Sequence, residues 1–383
     1  MCDILKHTTM KTGDKTMKKI HRTLSLFTVA AICTALLCSC GGVPDSSQTD
    51  SSSKAATTTT ADTTADTTTA GETSSTASVT SAPDSSVSDS SSAVTDDTKT
   101  NGITPAMWKV TSPEGNTMVM LGSFHALKDE CYPLPEAVTN AYNNADILAV
   151  ECDITSTSED GEYMKNLMKQ MLYNDNTKLS QHISEEAYSA LQTYLGYWGM
   201  DISALEVYRP WAVSSTLDTL LIQDSDFNTE KGLDNFLLTT AHADGKEIYE
   251  VESVDFQMNM LINFSDDIYD LMFRSYEGET KESQKQALED LYTAWKSGDI
   301  ETFLEEDNEE ELAGYTEEDK KIAEDYNNQM LYDRNKNMAK AAEDLMSQGK
   351  NVFYVVGAAH YAGEGGIIDL LEKDGYTAER VQY

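Results

Sequence analysis

TMVMLGSFH (117–125) and VFYVVGAAH (352–360) are two copies of one unit, an apolar run that closes on Gly-x-x-His, set 235 residues apart. Short runs of this kind, rich in β-branched and apolar residues, read as strands covered on both faces. The glycine three positions before each histidine allows the backbone to turn sharply off the strand end. In an open α/β sheet, ligands gather at the carboxyl ends of parallel strands. If both runs lie parallel in one sheet, His125 and His360 leave it at the same edge. The alternative is two core histidines bonded to backbone carbonyls.

Working outward, Ile147–Cys152 and Glu247–Val251 read as further strands, and Arg380–Tyr383 as a last edge strand. Between them Ser184–Tyr197, Ser203–Gln223, Leu233–Ala243, Ser253–Tyr276, Lys281–Ser297 and Glu317–Gln348 carry helical spacing. The fold class is therefore α/β: a central, mostly parallel sheet built from the N- and C-terminal halves of the domain, with a large helical insertion from about Asp160 to Gln348.

Only residues 102–383 have the composition of a folded domain. Residues before Met17 read as an upstream start; Lys18, Lys19 and Arg22 then precede the apolar run Leu24–Leu37, as in an export signal. The run closes on Leu37-Cys38-Ser39-Cys40-Gly41, which resembles a lipobox, so residues 1–39 read as a lipoprotein signal peptide and Cys40 as the lipidated anchor. This predicts a membrane lipoprotein on the extracytoplasmic face. Residues 40–101 are Ser, Thr, Ala and Asp with almost no large apolar side chain, the composition of a disordered tether. Such a tether spans on the order of 40 Å.

The chain has a formal charge of -37, while residues 1–39 carry +4 from six Lys/Arg and two Asp. The rest is strongly acidic, which disfavours nucleic acid and anionic lipid surfaces as partners. Cys131 and Cys152 are the cysteines of the domain; they either pair or stay buried as thiols.

Glu151 ends an otherwise apolar strand, where an ionised carboxylate needs a cation, a metal or a proton beside it. With His125 and His360 it would give a divalent metal two nitrogens and one oxygen, leaving positions open for water and substrate. Asp153 shares a face with Glu151 if the strand continues, as a second ligand or a cap. A metal held this way supports hydrolysis, and Arg334 in Tyr332-Asp-Arg-Asn-Lys336 offers a cation for a developing oxyanion. His182 and His242, in polar surroundings, read as solvent-facing. Ser123 is too near His125 along the chain for that ring to act as its base.

From Thr104 to Val381 these residues resemble the TraB/PrgY/GumN family, whose eukaryotic relatives include the Tiki proteins. The resemblance rests on MLGSFHALKDECYPLPEAVTNAYNNADILAVECD (120–153), Gly232-Leu-Asp234, the Glu252 to Gln257 segment, Arg334-Asn335 and VFYVVGAAHYAGEGGIIDLLEKDGY (352–376). It implies the fold of erythromycin esterases and ChaN-type haem-binding lipoproteins. It also implies that His125, Glu151, His360 and Arg334, with Asn335 beside it, are the metal and catalytic residues. Tiki-like members are metal-dependent peptidases, and TraB-like members inhibit peptide pheromones. Tyr361 stands where the family often has leucine, although Gly363 is kept. The function expected is a divalent-metal-dependent hydrolase (Mn, Co or Zn) acting on peptides or protein N-terminal regions. The alternative is a non-catalytic module that sequesters a peptide pheromone or haem, with Tyr361 among the available haem ligands.

Overall fold

The structure, a computed structural model, describes residues 102–155, 160–304 and 315–383. The signal segment, Cys40 and the tether lie outside those residues. Among the described residues six strands are present: β1 (Met107–Thr111), β2 (Thr117–Ser123), β3 (Ile147–Val150), β4 (Glu247–Glu250), β5 (Val352–Gly357) and β6 (Thr377–Arg380). They make one sheet in the order β4-β3-β5-β2-β1-β6. The first four of that order run parallel, and β1 pairs antiparallel with both β2 and β6.

The middle strand, β5, is buried at every position, as its unbroken apolar run requires. The outer strands β4 and β6 are mostly exposed and carry Glu247, Glu250, Glu379 and Arg380, charges that discourage further edge pairing. The strand β1, Met-Trp-Lys-Val-Thr, was not legible from the sequence, and β6 starts three residues earlier than the expected edge strand.

Helices cover the sheet. In chain order they are α1 (Glu136–Asn144), α2 (Gly161–Gln170), α3 (Glu185–Gly196), α4 (Pro210–Gln223), α5 (Leu233–Asp244) and α6 (Val254–Ile262). They continue with α7 (Asp266–Arg274), α8 (Lys281–Ser297), α9 (Glu317–Asn327), α10 (Asp333–Met346) and α11 (Ile367–Lys373). Two expected helices are shorter than their periodicity. Ser203–Gln223 becomes a 3-10 turn followed by α4, because Pro210 keeps Arg209 out of the helical region and itself takes the first helical position. Ser253–Tyr276 breaks in two where the Ser265 hydroxyl accepts the Ile268 amide and starts α7.

The stretch expected as one long helix is continuous but not uniform. A π-turn at Asn328–Tyr332 joins α9 to α10. Helix α8 is tied to the sheet by Trp295, fully buried, whose indole Nε1 donates to the Gly122 carbonyl at 3.0 Å. Among the described residues no helix is long and apolar enough to cross a membrane.

Candidate active site

The sheet order puts the two copies of the repeated unit on neighbouring strands. In the β2–β5 register Ser123 lies opposite Gly357, so both chains leave the sheet side by side. Strand β3 lies on the other side of β5 and delivers Glu151; β4, next to it, delivers Glu252 two residues past its end. Each of the four parallel strands thus sends one ionisable side chain to the same edge, as the topology of open α/β sheets favours.

The point of convergence is Gly357. A Cβ there would lie 3.1 Å from Glu151 Oε1, 3.6 Å from the His360 ring at Cδ2 and 3.7 Å from His125 Nε2. All three side chains line one cavity of about 120 Å³. Gly232 plays a different part, since its Cβ would fall 2.1 Å from the His125 carbonyl oxygen. Only glycine lets the start of α5 lie against that backbone.

Helix α5 then brings Asp234 to His125, whose Nδ1 donates to Oδ2 at 2.8 Å. His360 Nδ1 donates to Asn335 Oδ1 at 2.6 Å, and the Asn335 amide nitrogen donates to the Gly365 carbonyl, which fixes its orientation. Each ring therefore carries a proton on Nδ1 and turns Nε2 to the cavity side. Metal-binding histidines are oriented in this way by acceptors behind them.

Glu151 is held on every side. Its Oε1 accepts the Gly357 amide at 2.7 Å, and Oε2 accepts Gln257 Nε2 at 2.9 Å and Arg334 at 2.6 Å. Arg334 is buried. It bonds Glu252 through Nε and its second terminal nitrogen, and it donates to the Met330 carbonyl, one turn back in the π-turn, at 3.0 Å. Gln257 also donates to Glu252 at 2.7 Å, closing the network. Far from a solvated helix charge, Arg334 is the centre of a buried ionic cluster.

Two histidines of like sequence context end in opposite charge states. Burial alone would push the His125 pKa down, but the bonded Asp234 carboxylate and the Glu151 charge carry it up to about 9. For His360, burial and the Arg334 cation act together and push it down to about 3 against the pull of Glu151. Burial works against ionisation of Glu151 as well, yet Arg334, the two histidines and the Gly357 amide hold it well below the usual carboxylate range.

Does a divalent ion fit these residues? Two oriented imidazole nitrogens and a cradle kept open by the missing Cβ of Gly357 fit it. Glu151 differs from the open ligand expected from the sequence, because Arg334, Gln257 and the Gly357 amide already occupy its oxygens. Among the described residues no three His, Cys, Asp or Glu side chains form a ready ligand set. The fit is through His360 and through His125 once the ion displaces its Nε2 proton, with Glu151 joining only by releasing Arg334.

The other candidates lie elsewhere. Strand β3 ends at Val150, so the alternation that would pair Asp153 with Glu151 stops; Asp153 instead bonds Thr155 and His242 Nε2 at 2.8 Å. His182 bonds Asp266 and Thr177 and stacks on Tyr173. Cys131 and Cys152 are both free and buried, the first against the Tyr292 hydroxyl and the second against Gln257. Tyr361 stacks on Trp108 and donates to the Tyr354 carbonyl, so it is packed into the core and not offered to a haem iron.

Asp234, Glu252, Gln257 and Ser123 were given no role from the residues alone. Glu252 had a legible signal, since it repeats at the end of β4 the acid that Glu151 places at the end of β3.

The chain belongs to the TraB/PrgY/gumN family, whose sequence profile matches residues 106–380. It is 26% identical over 157 residues to the uncharacterized protein YbaP of Escherichia coli, covering 41% of this chain and 56% of that protein. A metalloprotease TIKI homolog from Nematostella vectensis is 25% identical over 293 residues, covering 65% of this chain and 61% of that protein. Metalloprotease TIKI2 of Danio rerio is 24% identical over 188 residues, covering 45% of this chain and 36% of that protein. The chain thus spans less than two thirds of the length of each of these relatives. No solved structure matches it.

Proposed function

We propose that the cavity is the active site of a hydrolase that uses a divalent ion to cleave peptides, on a domain anchored to a membrane through lipid on Cys40. The observation that carries this reading is the convergence of both Gly-x-x-His imidazoles, Glu151 and Gly357 within 4 Å of one point. The names of the TIKI relatives support the reaction class.

His125 and His360 would hold the ion through Nε2. When bound, such an ion supplies Lewis-acid activation of water and of the scissile carbonyl. Asp234 and Asn335 keep each Nδ1 protonated and each ring in place, which removes the need to reorganise during the reaction. Arg334 holds Glu151 ionised beside the reacting centre, and Glu252 fixes Arg334 in turn. His125, whose side chain is 32% exposed against 5% for His360, is the member of the cluster that solvent reaches, so water and substrate would approach the ion from its side.

The test is elemental analysis together with peptide cleavage. A stoichiometric divalent ion and cleavage are expected in the purified protein, both lost in the His125→Ala/His360→Ala double variant. Wild-type cleavage by that variant would remove the cavity from the chemistry. A second reading, binding of a peptide without turnover, draws on the saturated hydrogen bonding of Glu151. It predicts peptide binding with no cleavage after metal loading. A haem does not fit a cavity of about 120 Å³, far below the roughly 300–1,000 Å³ typical of cofactor and drug-sized sites; a Soret band on adding haem would contradict this.

A further inference from the structure

The cavity is lined by two unlike sets of residues. Its histidines, acids and arginine, His125, His360, Asp234, Glu151 and Arg334, all belong to the cluster already described. A second set is apolar and buried: Ile222, Leu288, Leu291, Phe303, Met330 and Leu331. These come from α4, α8, the π-turn and the 3-10 turn that follows α8, so four separate segments of the helical insertion close over the strand ends. An apolar cavity of about 150 Å³ holds one benzene, so a space of about 120 Å³ has room for one side chain and not for two.

A second observation marks the edge of that space. Ser123 lines the cavity and is 2% exposed, and its Oγ has no hydrogen-bond partner among the described residues. Buried hydroxyls are almost always bonded, and an unmet one costs stability unless something meets it in the working state. Its register partner is Gly357, the point on which the cluster converges. The hydroxyl therefore sits beside the reacting centre with its bonding capacity unused.

We propose that this cavity is a specificity pocket for one large apolar side chain of the substrate, the size of leucine, methionine or phenylalanine, and that the Ser123 hydroxyl bonds the substrate backbone beside it. The inference deepens the hydrolase reading, on which its cleavage half rests; its binding half stands alone. Charged side chains are disfavoured because the apolar set offers them no partner. Small ones leave the space unfilled.

Two measurements on the intact protein test it. In the first, N-acetyl amides of leucine, phenylalanine, alanine and aspartate are titrated calorimetrically. The leucine and phenylalanine amides are expected to bind at least about tenfold more tightly than the alanine and aspartate amides, the discrimination an apolar pocket gives for few carbon atoms. Leu291→Phe should shift the preference towards smaller side chains and Leu291→Ala towards larger ones, so a folding failure in one leaves the other informative. Ser123→Ala should weaken the preferred amide several-fold while the melting midpoint holds or rises, a combination that a structural serine does not produce. Equal binding of all four amides, or a melting midpoint that falls in step with binding in Ser123→Ala, would overturn the pocket.

In the second, a peptide series varied at the residue beside the scissile bond is ranked by kcat/KM. Cleavage without side-chain preference overturns the pocket and leaves the hydrolase. Selective binding of apolar amides with no peptide cleaved upholds the pocket and removes the hydrolase.

Discussion

His125 and His360 come from the same short pattern, leave neighbouring parallel strands at the same edge and face one cavity, yet one is charged and the other neutral. His125 backs onto a carboxylate, Asp234, and has solvent at its rim. His360 backs onto an amide, Asn335, and lies beneath the Arg334 cation. The repeated motif therefore sets where an imidazole goes, and the residue behind each ring sets what it carries. Neither of those partners lies near its histidine in the chain: Asp234 is 109 residues from His125 and Asn335 is 25 from His360.

The largest effect is expected where the asymmetry originates. Arg334→Met strips two buried carboxylates of their cation and should destabilise the fold by about 3–5 kcal/mol, read by urea denaturation, while the His360 titration moves up towards that of His125. A loss under about 1 kcal/mol would mean that Glu151 and Glu252 are not held as described.

Asn335→Asp gives His360 the kind of partner His125 has. It forfeits the bond to the Gly365 carbonyl and adds a buried charge, so a cost of about 2–3 kcal/mol is expected. The His360 ring proton followed by NMR should titrate well above its position in the parent. If it does not move, the acceptor behind the ring is not what sets its charge.

Asp234→Asn removes the carboxylate from the other ring, with a cost of about 1–2 kcal/mol after allowance for solvent screening. The pH dependence sharpens the contrast, measured on chelator-treated protein. The folded pKa of His125 is about 9 against an ordinary 6.5, so the native state keeps a proton that the unfolded chain releases. Its stabilisation is complete below about pH 6.5 and fades as pH rises through about 9. In Asp234→Asn that alkaline limb should flatten. The folded pKa of His360, about 3, works in the other direction: the unfolded chain binds a proton that the native one refuses, so stability falls as pH drops below about 6.5.

The smallest effect is expected from His242→Ala, which breaks a half-exposed pair with Asp153. It should cost no more than about 1 kcal/mol and leave metal content and cleavage unchanged. A loss of either would mean that the site extends past the end of β3.

The parallel strands were legible because each is a short apolar run in a polar chain, and the meeting of His125, His360 and Glu151 followed from treating two such runs as neighbours. The strand β1 was not legible, because five residues including Lys109 and Thr111 show no pattern stronger than a loop; its place is set by pairing with β2 and β6. Asp234, Glu252 and Gln257, which entered only as part of the family resemblance, were given no role for another reason. Periodicity reports which face of a helix is apolar, whereas these residues act through contacts that exist only after distant segments close. Arg334 was picked out as a cation near the site, but its buried pairing with Glu151 and Glu252 was not legible for the same reason.

The π-turn at Asn328–Tyr332 has a consequence for how insertions and deletions in this part of the chain would be tolerated. Each residue of an ordinary helix advances the side-chain direction by about 100°. A π-turn winds one extra residue into nearly the same rotation, so trimming one residue between Tyr326 and Arg334 should restore regular winding and leave the guanidinium facing the carboxylates it serves. The irregular coil thus stores one spare residue, whereas a further insertion or deletion in a regular turn before Arg334 would carry the guanidinium about 100° away from its carboxylates.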